Sequence, residues 1–203
     1  MTSDQLCQGP SQAEHRLVLL HGWGADADDL LDLGEELAGP EIALVALRAP
    51  EPHPFGVGRQ WYDLQQPEWP GLPPAKVALH QRLLALGESL PLERTVVLGF
   101  SQGAAMGLDV ASGLPIAGLI ACSGYPHPGW APVAPLTRVL LTHGEQDPVV
   151  PLAASVEVLR LLRQAGARAD LLPFAGGHTI DASLFPSLRA FLLDQWKDIP
   201  GAP

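Results

Sequence analysis

The chain has 203 residues, 47% hydrophobic and 17% charged, enough to bury a core within one domain spanning 1–203, with the core itself at about 16–196. Formal net charge is -10, and the 12 Lys and Arg residues are scattered singly. This excludes a nucleic-acid partner, which needs clustered basic side chains, and disfavours an anionic membrane surface. No apolar run approaches the ~18 residues of a membrane span, so no integral membrane association is expected. Residues 1–16 lack the apolar segment of a signal peptide. Cys7 lies in a polar stretch and Cys122 in an apolar run, so they make poor disulfide partners. The expected compartment is reducing and cytoplasmic.

Short apolar runs alternate with helical patterns. Residues 17–20 (LVLL) read as a buried strand, and 28–37 carry helical spacing at Leu30, Leu33 and Leu37. A second strand is expected at 42–47. Residues 50–74, rich in Pro, Gly and aromatics, read as a long loop. A helix is expected over 75–90, a strand over 95–100 and a small-residue helix over 102–111. Strands at 116–121, 138–142 and 169–174 and helices at 151–164 and 183–196 complete the pattern. Residues 1–13 and 197–203 read as frayed ends. Continuous apolar strands alternating with helices predict an α/β fold, a mostly parallel sheet covered on both faces.

Gly99-Phe100-Ser101-Gln102-Gly103 fits G-x-S-x-G. The pentapeptide alone is weak evidence. A strand before it and a small-residue helix after it supply the context of a nucleophile elbow. Side chains two residues either side of the serine would meet backbone, so glycine suits both places. The helix N-terminus also directs N–H groups toward developing negative charge.

A serine nucleophile needs a base. Three of the seven histidines follow Ser101: His127, His143 and His178. In an α/β-hydrolase fold the order is Ser, then acid, then His. His178, in Gly176-Gly177-His178-Thr179 past the last strand, is the chosen base; His143 ends a strand. Asp109 and Glu157 lie in helices and Asp170 in a strand. Asp147 and Glu145 remain, and the rigid turn set by Pro148 favours Asp147.

His21-Gly22-Trp23-Gly24 follows the first strand, where this fold supplies its second oxyanion donor. The expected donors are the backbone N–H groups of Trp23 and Gln102. Gly22-x-Gly24-x-x-Ala27 also imitates a dinucleotide fingerprint. That reading wants an acidic residue ending the second strand. The sequence there is Leu47-Arg48-Ala49-Pro50, although Arg48 suits a 2′-phosphate.

These residues resemble the acyl-protein thioesterase / phospholipase–carboxylesterase family of α/β-hydrolases, in a compact bacterial form. The resemblance runs from about Arg16 to about Trp196. It rests on His21-Gly22-Trp23-Gly24 and Gly99-Phe100-Ser101-Gln102-Gly103 with Arg59-Gln60-Trp61-Tyr62-Asp63, Asp147-Pro148-Val149-Val150-Pro151 and Gly177-His178. It implies a Ser101–Asp147–His178 triad acting on carboxylic esters or thioesters, and an acyl pocket bordered by 59–63. The chain departs from the family at Ala25, where Asp is frequent and here falls one place later at Asp26. Trp23 stands where an aliphatic residue is common.

The expected activity is that of a carboxylesterase working through an acyl-enzyme on Ser101, with small to medium acyl chains and a small-molecule ester or thioester as partner. Acyl-protein thioesterase or lysophospholipase activity is the alternative within the family. A non-catalytic ligand-binding module is the alternative outside it. Phe55, Trp61, Tyr62, Trp69 and Leu72 are expected to form an apolar pocket; an equal reading has them sealing the sheet edge. No cofactor and no metal are expected, since no His-Glu-x-x-His motif or zinc-spaced Cys/His cluster occurs.

Overall fold

The computed structural model describes residues 4–134 and 137–197. In chain order the first elements are β1 (Gln5–Gln8), β2 (Arg16–Leu20), α1 (Leu31–Ala38), β3 (Ala43–Leu47), β4 (Glu51–Pro52), β5 (Arg59–Gln60) and α2 (Leu72–Leu86). They are followed by β6 (Thr95–Phe100), α3 (Gln102–Val110), β7 (Gly118–Cys122), β8 (Val139–Gly144), α4 (Leu152–Gln164), β9 (Ala169–Phe174) and α5 (Phe185–Trp196).

Seven strands form one sheet in the order β1-β3-β2-β6-β7-β8-β9. β1 runs antiparallel to β3, and every other pairing is parallel. Within β2, Val18 and Leu20 join one core and Leu17 and Leu19 the other, the period-two alternation of a strand. The first core is completed by Leu79 and Leu83 of α2, Met106 and Leu108 of α3, and Val158 and Leu162 of α4. The second is completed by Leu31 and Leu37 of α1 and by Leu188, Leu192 and Trp196 of α5. Helices therefore cover both faces, the α/β-hydrolase arrangement. Each fully buried leucine contributes about 1.5–3 kcal/mol.

This topology collects loops at the carboxyl ends of the strands. Leu20 pairs with Gly99, so the loop after β2 emerges beside the turn after β6. Gly144 pairs with Phe174, so the loops after β8 and β9 emerge together.

Three expectations need correction. Residues 5–8 are a strand rather than a frayed end. At the sheet edge Gln5 and Leu6 are half-buried and Cys7 and Gln8 exposed, which leaves no apolar run to read. Residues 1–3 and 198–203 of those expected ends lie outside the described residues. The 50–74 stretch carries the small β4–β5 pair, and α2 begins inside it at Leu72. Pro73 and Pro74 sit in the first helical turn, where a missing N–H costs nothing. The same helix stops at Gly87, short of Leu90.

Candidate active site

Ser101 sits between β6 and α3 with φ 52° and ψ -115°. A non-glycine residue there stores roughly 1–3 kcal/mol of strain. Its neighbours show why the turn needs its glycines. A Cβ on Gly99 would lie 2.5 Å from the Gly103 carbonyl, and one on Gly103 would lie 2.1 Å from the Leu20 carbonyl. Ser101 N–H donates to Cys122 O at 2.9 Å, tying the turn to β7.

His178 Nε2 lies 2.9 Å from Ser101 Oγ, and His178 Nδ1 lies 2.7 Å from Asp147 Oδ2. The Asp147 side chain is completely buried. Its other oxygen, Oδ1, accepts from Val149 N–H at 2.8 Å and Val150 N–H at 2.9 Å. Burial opposes the carboxylate's charge, but the bonds from His178, Val150 and Val149 outweigh it and hold Asp147 below the usual aspartate range. An ionised Asp147 accepts only, so the His178 proton is on Nδ1 and Nε2 is free to take the serine proton. Ser101, Asp147 and His178 thus form a catalytic triad.

His143, the other candidate base, is fully buried and already occupied. Its Nε2 faces Val150 O at 2.8 Å and its Nδ1 pairs with Ser155 Oγ at 2.7 Å. It supports the Asp147 loop, with Nε2 3.4 Å from Asp147 Oδ2.

The loop after β2 is stitched to the 59–62 segment. Gly24 N–H donates to Arg59 O at 2.8 Å, Trp23 Nε1 to Gln60 Oε1 at 2.9 Å, and Trp61 Nε1 to His21 O at 2.9 Å. Gln102 closes the stitch from the serine side. Its Oε1 accepts from Trp61 N–H at 3.0 Å and its Nε2 donates to Tyr62 O at 2.8 Å. A Cβ on Gly22 would lie 3.5 Å from Ser101 Cβ, which measures how closely this loop approaches the serine. Arg48, the residue suited to a 2′-phosphate, instead pairs with Asp26 Oδ1 at 2.6 Å.

Ser101 and His178 open into a cleft of about 550 Å³. Trp23, Leu64, Tyr125 and Ala154 line it with the segment Val149, Val150 and Pro151. The expected pocket residues lie elsewhere. Trp61 and Tyr62 are 1% and 0% exposed and pack in the core, their polar atoms turned to His21 and His127. Trp69 packs against Tyr62 and His127. Leu72 packs against the same core. Phe55 is 69% exposed at the tip between β4 and β5. Trp61, Tyr62 and Trp69 thus pack in or against the core and Phe55 is exposed, while a shorter aliphatic set lines the cleft with Trp23 and Tyr125. Among the described residues, no group of three or more His, Cys, Asp or Glu side chains could hold a metal ion. Among the same residues, no helix is long and apolar enough to cross a membrane.

A family model described as Phospholipase/Carboxylesterase matches residues 3–195. The chain belongs to the phospholipase/carboxylesterase family. Esterase YpfH of Escherichia coli (strain K12) is 29% identical to it over 190 residues, which covers 86% of this chain and 80% of the relative. The crystal structure of esterase PE8 superposes with a TM-score of 0.81 at 32% identity, covering 94% of this chain and 96% of that one. The Bacillus cereus carboxylesterase superposes with a TM-score of 0.81 at 19% identity, covering 94% and 93%, a likeness of fold.

Sequence reasoning missed four features of this family member: the clamp made by the Gln102 side chain, the lining roles of Leu64 and Tyr125, and the scaffold role of His143. Position in the G-x-S-x-G motif marked Gln102, but only for its backbone. Val149 and Val150 stood inside a quoted motif, and their position directly after an expected catalytic aspartate was the available signal.

Proposed function

We propose that this chain is a carboxylesterase of small to medium acyl esters, working as a single domain in a reducing, cytoplasmic setting. The observation that carries the reading is the continuous Asp147–His178–Ser101 hydrogen-bond chain opening into a mostly apolar cleft. Ser101 Oγ attacks the ester carbonyl as His178 Nε2 takes its proton. His178 then protonates the leaving alcohol, and water, activated by the same nitrogen, releases the acid. Asp147 holds the Nδ1–H tautomer and faces the imidazolium that forms.

The N–H groups of Trp23 and Gln102 stabilise the oxyanion. Gln102 opens α3, so its N–H lacks a partner within the helix, and the Gly22 approach to Ser101 supports Trp23 as the second donor. A cleft of about 550 Å³ suits a short acyl chain with a small leaving group. The two free cysteines suit a reducing compartment.

The test is a series of 4-nitrophenyl esters from acetate to decanoate, with matching thioesters, on wild type and Ser101→Ala. Wild type should peak at short to medium chains. Ser101→Ala should lose kcat by about 10⁴-fold or more. Equal turnover by both proteins would overturn the serine mechanism, and a preference for thioesters would move the assignment to thioesterase.

A further inference from the structure

A second chain of hydrogen bonds ends at the cleft. Tyr125, one of the lining residues, has its Oη 2.8 Å from Tyr62 Oη. Tyr62 Oη lies 2.9 Å from His127 Nε2, and His127 Nδ1 lies 2.8 Å from Asp109 Oδ2. Asp109 Oδ1 meets Lys76 Nζ at 2.7 Å. Tyr62 is fully buried, the His127 and Asp109 side chains are 1% and 8% exposed, and Lys76 reaches solvent.

The protons in this chain can be assigned in order. Burial opposes ionisation of Asp109, but bonds from His127 and Lys76 override it and hold the carboxyl below its usual range. An ionised carboxylate only accepts, so His127 carries its proton on Nδ1. Lys76 already balances Asp109, and a second proton on His127 would bury an uncompensated charge. His127 Nε2 is therefore an acceptor and takes the Tyr62 proton. Burial keeps both phenols protonated; it pushes Tyr125 up to about 12 and raises Tyr62 as well. With the Tyr62 proton committed to His127, Tyr125 must donate to Tyr62. Its oxygen keeps free lone pairs.

We infer that Tyr125 Oη is a hydrogen-bond acceptor that selects esters bearing a hydroxyl or N–H donor near the scissile carbonyl. The inference rests on the ester-hydrolase reading above. The rest of the lining leaves this task to Tyr125. Ser101 and His178 are engaged in the triad, and Trp23 Nε1 is engaged by Gln60. Leu64, Val149, Val150, Pro151 and Ala154 have no polar side-chain atoms. A phenylalanine at 125 would fill the same space without the four polar partners behind it. Such a buried network is worth keeping only when every member is satisfied, and it then fixes one hydroxyl in one orientation.

The test uses the full chain and two matched sets of esters. One set varies the acid: 4-nitrophenyl butyrate and its 3-hydroxy and 3-methoxy forms. The other varies the alcohol: ethyl, 2-hydroxyethyl and 2-methoxyethyl butyrate. In at least one set, wild type should favour the hydroxyl form over the plain ester in kcat/KM by roughly threefold to tenfold, the worth of one neutral hydrogen bond. The methoxy form, an acceptor only, should gain nothing. Tyr125→Phe should bring the hydroxyl-to-plain ratio to about one. Tyr62→Phe, checked for folding by circular dichroism, frees the Tyr125 proton, so the methoxy ester should gain, an effect that loose packing would not produce. The same ratio in wild type and Tyr125→Phe across both sets would overturn the inference. So would a methoxy preference in wild type. If wild type turns over no ester and a fluorophosphonate fails to label Ser101, the esterase reading itself falls; a plain ester turned over with an unchanged ratio removes the selectivity alone.

Discussion

The Asp147–His178–Ser101 array and the Asp109–His127–Tyr62 array share an order of groups and nearly the same spacings, 2.7 and 2.9 Å in the first against 2.8 and 2.9 Å in the second. They differ in what balances the carboxylate. Asp109 has Lys76 at 2.7 Å. Asp147 meets only histidines and backbone N–H groups among the described residues. His178 can therefore become a cation with Asp147 as its counter-ion, which is what the attack step requires. His127 would become a cation beside a carboxylate already neutralised. The terminal hydroxyls differ in the same sense. Ser101 stands on a strained turn at the cleft, while Tyr62 is wholly buried. The order of groups sets where protons sit; the counter-charge sets whether the histidine can hold a second one.

The largest way to break this comparison is to neutralise each carboxylate in turn. Asp147→Asn should lower kcat on a short 4-nitrophenyl ester by about 10⁴-fold, through the wrong histidine tautomer and the lost counter-charge. Asp109→Asn should lower it by no more than about tenfold, since that carboxylate faces no charge that develops during reaction. Comparable losses in the two variants would mean that the second array takes part in proton transfer.

Acid unfolding sharpens the comparison with a smaller effect. Both carboxyls are held below their usual range in the folded protein. A depressed folded value means the unfolded chain binds more protons in the window between the two values. Stability from each carboxyl is fully present above the ordinary aspartate value of about 3.9 and is lost as pH falls through the folded value. Urea midpoints should therefore decline below about pH 4 in wild type, and both Asn variants should show a shallower decline. An acid limb just as steep in Asp109→Asn would show that Lys76 and His127 do not hold that carboxyl.

Much of the fold was legible because helices cover both faces of the sheet. Runs such as 17–20 and 96–100 carry no polar side chain, as strands covered on both faces require. β1 was not legible because an edge strand of Gln5, Leu6, Cys7 and Gln8 buries too little to leave a pattern. The triad was legible from order along the chain: Ser101, Asp147 and His178 each follow a strand that ends at the same rim. The cleft lining was not, since local sequence does not say toward which side an aromatic turns. Trp61 and Tyr62 carry the marks of a pocket and spend them on the core. Asp109 was set aside as a helical residue, correctly for the catalytic acid, yet its helix is what carries it to His127.

The smallest expected effect separates the expected pocket from the observed one. Phe55 is exposed at the β4–β5 tip, its ring centroid 6.4 Å from that of Trp23 and 5.7 Å from that of His53. Trp23 does not depend on it. The indole is held by Gln60 at 2.9 Å and by the His53 ring at 4.2 Å. Phe55→Ala should therefore change stability by no more than about 0.5 kcal/mol, as for other exposed positions. It should change kcat/KM for every acyl length by less than about twofold. Trp23→Ala, by contrast, removes a wall of the cleft and should shift the preferred acyl length. A loss in Phe55→Ala confined to the longer esters would show the tip folding over bound substrate, and would return Phe55 to the pocket from which its exposure has removed it.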